Sequence, residues 1–216
     1  MRWRERMAAE VPAKVAVWLG LAVGICVPYF ALQRVDAFAR QSVPVTPIDR
    51  WVAFEPAWIG AYVSLALLVP LAPLLAARRD ELARYARGLA LLCAVCFAIF
   101  LVFPVLGPRP DAAPTGGLYA WIVSVDRPAN SMPSLHAGLT VYSLLFAGRV
   151  LRGGAHRTPS LAVRAAGLGW GALILFSTLA TKQHWLVDLP AGALVAWAAH
   201  ASAWRGADER GATRLA

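Results

Sequence analysis

Six stretches of the chain carry almost no charged side chains, and arginine-rich or proline-rich segments separate them. They run near residues 15–33, 56–77, 88–108, 133–148, 165–181 and 184–204, each about 16–22 residues long. A helix of about 20 apolar residues crosses the hydrocarbon core of a bilayer. Backbone polar groups in that solvent must be satisfied within the segment, so helices follow. The pattern predicts an all-α polytopic membrane protein, a six-transmembrane-helix bundle forming one domain over residues 1–216. The fourth and sixth blocks are polar at one end, which marks that end for chemistry.

Composition supports this class. Hydrophobic residues make up 59% of the 216 and charged residues 15%, against about 25% charged in soluble domains. The net charge of +9 raises the question of nucleic acid. The basic residues lie between apolar blocks and the aromatics lie inside them, so no basic face with stacking aromatics forms. Nucleic acid is excluded as a partner, and membrane lipids are expected.

Basic residues also set the orientation. Those before the first block, between the second and third, between the fourth and fifth, and after the sixth number 15, against 6 in the alternate segments. The positive-inside rule then places both termini in the cytoplasm. The expected setting is a bacterial inner membrane with the polar block ends facing the periplasm. The first block is expected to be a retained span, because its roughly 19 residues exceed the 7–15 of a signal-peptide core. Residues 35–55, with Trp51 and Phe54, read as an interfacial segment, and residues 109–132 as an outer loop. Cys93 and Cys96 fall mid-block and read as packing thiols.

Ionisable side chains at the edge of a span are costly unless paired, which makes them functional candidates. Four groups are predicted on the same non-cytoplasmic side: Arg109 with its flanking prolines, Pro133-Ser134-Leu135-His136, the pair Lys182 and His184, and Asp188. His184 and Asp188 are four apart, so a helix would put them on one face. There the carboxylate would orient the imidazole, or the two would form a structural pair. Ser134 offers either a phosphate contact at a helix start or a plain N-cap. Arg109 suits bidentate phosphate binding or is a loop arginine. Lys182 is a further cation or a snorkelling side chain. No metal site is expected, since Arg109 and Lys182 would oppose a cation. His156 and His200 lie toward the cytoplasmic side and are not assigned to the chemistry.

These motifs resemble the type 2 phosphatidic acid phosphatase superfamily. Its pattern is Lys, six residues, Arg-Pro; then Pro-Ser-x-His; then Ser-Arg, five residues, His, three residues, Asp. The chain matches at Arg109-Pro110, at Pro133-Ser134-Leu135-His136, and at Ser177-Thr178 with His184 and Asp188. It departs at Val102 and Thr178, where the pattern has Lys and Arg, and at Leu135, where it has Gly. The Pro133-Ser134-Leu135-His136 variant and the Lys182-Gln183-His184 combination resemble the branch related to inositol phosphorylceramide synthases.

The resemblance implies a membrane enzyme cleaving or transferring a lipid phosphate ester through a phosphohistidine, without a cofactor. His184 would be the nucleophile, Asp188 its orienting group and His136 the proton donor and acceptor. Arg109, Ser134, Leu135 and Lys182 would bind phosphate. The partners implied are a lipid phosphate and, for transfer, an alcohol acceptor. A non-enzymatic six-helix transport or scaffold protein would explain the buried polarity but not the register of the motifs.

Overall fold

The computed structural model describes residues 3–110, 112–152 and 160–212, with side chains placed for 5–110, 112–152 and 160–205. Arg2, His156, Arg157 and Arg214, which entered the charge and histidine readings, lie outside the described residues. The helices are α1 (Trp3–Ala8), α2 (Val11–Leu32), α3 (Pro47–Trp51), α4 (Ile59–Val63), α5 (Leu65–Leu74), α6 (Arg79–Val102), α7 (Gly117–Val125), α8 (Leu135–Arg152), α9 (Leu161–Ala180) and α10 (Asp188–Ala212). Among the described residues no strand forms, and Gln41 and Val105 make one isolated bridge.

Four helical runs among the described residues are long and apolar enough to cross a membrane: Val11–Leu32, Pro56–Leu74, Arg79–Val102 and Leu161–Ala180. The chain therefore has the helical content of a membrane protein, with four such runs where six were expected. The other two apolar blocks do form helices, α8 and α10, but polar residues dilute them. α8 carries His136, the buried Thr140 and Ser143, and two arginines in its last turn. α10 opens on Asp188.

The bundle is organised around α8, which packs most extensively on α10 and also against α5, α9 and α6. Its core joins Leu89, Leu92 and Phe100 of α6 to Leu139, Tyr142 and Phe146 of α8. Cys93 and Cys96 are buried in this same core, as packing thiols would be. Close approach depends on a missing side chain: a Cβ on Gly192 of α10 would overlap the Ser134 carbonyl at the start of α8. The outer faces of α2 and α9 remain apolar, with Trp18, Val23, Leu161 and Leu168 exposed, as suits contact with lipid.

Several boundaries differ from the hydropathy pattern for identifiable reasons. α6 begins at Arg79, ahead of its apolar block, with Asp80 and Glu81 in the first turn where the helix dipole favours carboxylates. It stops at Val102 instead of reaching 108, because Pro104 drives Phe103 out of the helical region (φ −141°, ψ 67°). The chain then runs extended, and Gln41 receives and gives backbone bonds with Leu106 and Pro104 at 2.9 and 2.8 Å. The run from Pro56 to Leu74 bends at Ser64, whose Oγ donates back to the Ala61 carbonyl at 2.6 Å.

Residues 109–132, expected as loop, contain α7. Tyr119 packs there with Ile59 and Tyr62, beside Ile122 and Val123. The expected interfacial segment 35–55 contains α3, closed by a capping box between Thr46 and Asp49, with Trp51 fully displayed outside.

Candidate active site

The sixth apolar block was expected to be helical from His184. Instead α9 ends at Ala180, a turn follows, and α10 begins only at Asp188. Lys182 adopts a left-handed backbone (φ 52°) in that turn. The Thr178 carbonyl then receives the backbone N–H groups of Gln183 at 2.9 Å and His184 at 3.2 Å. So His184 and Asp188 do not share a helix face, yet they still meet. Asp188 caps the turn, its Oδ2 accepting from the Trp185 N–H at 2.9 Å, and His184 Nδ1 lies 3.3 Å from the same oxygen.

A second group completes this arrangement. The Ser131 carbonyl is 3.0 Å from His184 Nδ1, and Ser131 Oγ donates to Asp188 Oδ2. Two acceptors facing Nδ1 hold the proton there, so the lone pair sits on Nε2. Among the described residues Nε2 makes no hydrogen bond, and His184 lines a pocket. The arrangement directs an unbonded ring nitrogen toward that pocket.

α8 starts beside it. A cis Met132–Pro133 bond leads into Ser134, whose Oγ accepts from the Ala137 N–H at 3.1 Å as an N-cap. The Ser134 N–H donates to the Asp188 carbonyl at 3.0 Å, tying the first turns of α8 and α10 together. His136 follows in that first turn. Its ring stacks on Tyr62 with centroids 4.0 Å apart and lies 5.8 Å from the His184 ring. Leu135, expected among the phosphate-binding residues, turns its side chain into the main core.

Arg109 comes from the extended chain after α6. Its guanidinium is fixed by three carbonyls, those of Pro108 at 3.0 Å, Lys182 at 3.3 Å and Asp126 at 2.9 Å. With His184 it lines a small polar pocket of about 10 Å³, shared with Tyr29, Tyr62, Asp126 and Ser131. That is the scale of a single water.

The Lys182 ammonium is directed elsewhere. It donates to the carbonyls of Asp49 at 2.8 Å and Val52 at 2.5 Å, and Lys182 is not among the pocket's lining residues. Burial lowers its pKa from the usual lysine value, partly offset by the Asp49 carboxylate. His136, His184, Asp188, Arg109 and Ser134 thus converge, whereas Lys182 contributes its carbonyl and Leu135 its packing. Among the described residues no three His, Cys, Asp or Glu side chains group as a metal set.

With this geometry in view, the family comparison is informative. The family model of the PAP2 superfamily matches residues 45–202, well over half of the chain. The chain belongs to the PAP2 superfamily. No curated protein and no solved structure matches it. Membership gives this PAP2 protein phosphatase-type chemistry on lipid phosphates as its general class.

Two of the departures from the superfamily pattern have distinct settings here. Val102 is exposed at the end of α6. Thr178 is fully buried, its hydroxyl donating to the Leu175 carbonyl, while its own carbonyl holds the His184 turn. Sequence reading missed Ser131, Asp126 and Tyr62. Ser131 lies only three residues before Ser134, but no spacing rule ties it to His184. Asp126 was legible only as an isolated acid in a segment read as loop.

Proposed function

We propose that this PAP2 superfamily member is a six-span membrane enzyme that moves a phosphoryl group from a lipid phosphate ester through a phosphohistidine on His184. The observation that carries this reading is the His184 imidazole, anchored at Nδ1 by Ser131 and Asp188 and bare at Nε2 beside a pocket that Arg109 also lines, with the His136 ring 5.8 Å away. Nε2 attacks phosphorus in line, the ester P–O bond breaks, and His136 protonates the departing oxygen. Asp188 stabilises the imidazolium character that develops. Arg109 and the free amides at the α8 start offset charge on the phosphoryl oxygens. His136, now neutral, then takes a proton from water or an alcohol as its oxygen attacks phosphorus and the N–P bond breaks.

An apolar cavity supports a lipid substrate. It measures about 570 Å³, runs between α2, α5, α7 and α8, and shares Tyr29, Tyr62 and Asp126 with the polar pocket. An acyl chain in that groove would deliver its headgroup to His184. The departures from the phosphatase pattern at Leu135, Thr178 and Lys182 favour transfer to an alcohol, in the manner of inositol phosphorylceramide synthases, over simple hydrolysis. With both termini in the cytoplasm, as the charge asymmetry suggests, the site opens on the opposite face.

The test is trapping of labelled phosphate from a lipid phosphate on purified protein. An acid-labile, base-stable label should form on the wild type and be absent from His184→Ala. Full turnover by folded His184→Ala would refute the assignment.

A further inference from the structure

Asp126 is unexpected in a pocket assigned to a phosphate ester, because a carboxylate repels the phosphoryl oxygens. Its surroundings suggest another ligand group. Oδ1 accepts from the Tyr29 hydroxyl at 2.9 Å and the Gln33 amide at 2.5 Å, and Oδ2 from the Tyr62 hydroxyl at 3.3 Å. All three donors are neutral. Among the described residues no lysine or arginine pairs with the carboxylate, and Arg109 meets Asp126 at its backbone carbonyl instead. Oδ2, with a single long bond, therefore keeps accepting capacity.

A second observation points the same way. Asn130 and Gln183 line the same pocket at 4% and 5% exposure, and Asn130 Oδ1 and Gln183 Oε1 are buried without a donor. Two acceptors of pocket-lining residues thus lack donors, a condition that buried polar groups rarely tolerate, and Asp126 Oδ2 has only one long bond. A ligand that completes the pocket must bring hydrogens. The phosphoryl oxygens bring none. An ammonium group brings them but sets a second cation beside Arg109. Hydroxyl groups bring donors with no charge.

We propose that Asp126, with the Asn130 and Gln183 side-chain oxygens, forms a subsite for a polyol group of the ester or of the acceptor alcohol. This deepens the phosphoryl-transfer reading and rests on it. Asp126 and His136 also both line the apolar cavity, and Tyr62 bonds the first while stacking on the second. A hydroxyl held at Oδ2 is thereby kept on the His136 side of the pocket. In the transfer step its proton passes to the neutral His136 imidazole, its oxygen bonds phosphorus, and the His184 N–P bond breaks.

The experiment titrates glycerol 3-phosphate, phosphoethanolamine and inorganic phosphate into the purified full-length protein by calorimetry, alongside turnover. The wild type should bind glycerol 3-phosphate about tenfold or more tighter than either other phosphate, the scale of one hydrogen bond to a charged acceptor. Asp126→Asn, nearly isosteric but uncharged, should lose most of that preference. Tyr29→Phe, which keeps the carboxylate, should retain it. Tightest binding of phosphoethanolamine, an unchanged preference in Asp126→Asn, or an equal loss in Tyr29→Phe would each overturn the proposal. The wild-type ranking decides even where Asp126→Asn does not fold. His184→Ala separates the two readings, since it should abolish turnover yet keep the binding preference. Retained turnover there strikes at the nucleophile and leaves the polyol subsite to its own result.

Discussion

Two histidines, one just before α10 and one within it, are held in contrasting ways. In the turn before α10, His184 has Nδ1 held by the Ser131 carbonyl and Asp188, with Nε2 left toward a pocket. Roughly three turns along α10, His200 packs edge-on to Tyr142 and beside Trp204, and its Nε2 is buried with no partner among the described residues. Arg84 and Arg149 lie over the Trp204 ring at 5.2 and 5.0 Å. Both regions combine histidine, aromatics and arginine. They differ in the carboxylate. A histidine with a carboxylate on one nitrogen has a fixed tautomer and a directed lone pair; His200 has no carboxylate partner among the described residues and packs against aromatic rings.

The sharpest way to break this comparison is to remove the carboxylate's charge. Asp188→Asn should lower turnover by about two to four orders of magnitude, the range for the orienting carboxylate of a hydrolytic triad, while the protein stays folded. A loss below tenfold, measured on folded protein, would put His184 on the same footing as His200.

Arg109 offers the next largest effect. Arg109→Met should cost about two to three orders of magnitude, by analogy with removal of one oxyanion donor. Arg109→Lys should recover little of this, because three carbonyls orient the guanidinium fork and a lysine offers only a point charge. Full recovery by lysine would mean that charge alone matters there. The arginines over Trp204 make the contrast: replacing Arg84 should alter stability and leave the chemistry intact.

The sequence revealed different amounts of these two regions. Six apolar blocks were readable because a bilayer demands long uncharged helices; all six contain helix, and four of the helical runs are long and apolar enough to cross a membrane. The His184–Asp188 spacing was readable too, although the contact is made across a turn. What could not be read came from tertiary placement. Ser131, Asp126 and Tyr62 reach the site from a loop, from the end of α7 and from α4, and no periodicity links them. Lys182 was misdirected for a local reason. Its left-handed backbone swings the ammonium toward Asp49 and Val52, which helical spacing does not foresee.

That redirection makes Lys182→Met mainly a stability variant. Loss of two charge-assisted bonds should destabilise by about 1–3 kcal/mol, with turnover falling less than tenfold. The pH dependence has a definite sign. Burial lowers the folded-state pKa of Lys182, so between that value and the unfolded one the unfolded chain binds more protons. Stability of the wild type relative to Lys182→Met should therefore rise as pH climbs through that window. Thermal unfolding of both proteins across mildly alkaline pH checks it, and an advantage that shrinks as pH rises would contradict the burial argument.

The smallest effect tests the other half of the comparison. His200→Phe keeps a flat ring against Tyr142 and Trp204 and removes a buried nitrogen that lacks a partner. An unsatisfied buried polar atom costs about 1–3 kcal/mol, so the variant should unfold at the same temperature or a higher one. Turnover should stay within about twofold, because nothing in the proposed chemistry reaches that far along α10. Steady-state rates and melting curves on the same preparation decide the matter. A tenfold loss of turnover with an unchanged melting point would give His200 a role in the reaction, and the presence or absence of a carboxylate would no longer separate the two histidines.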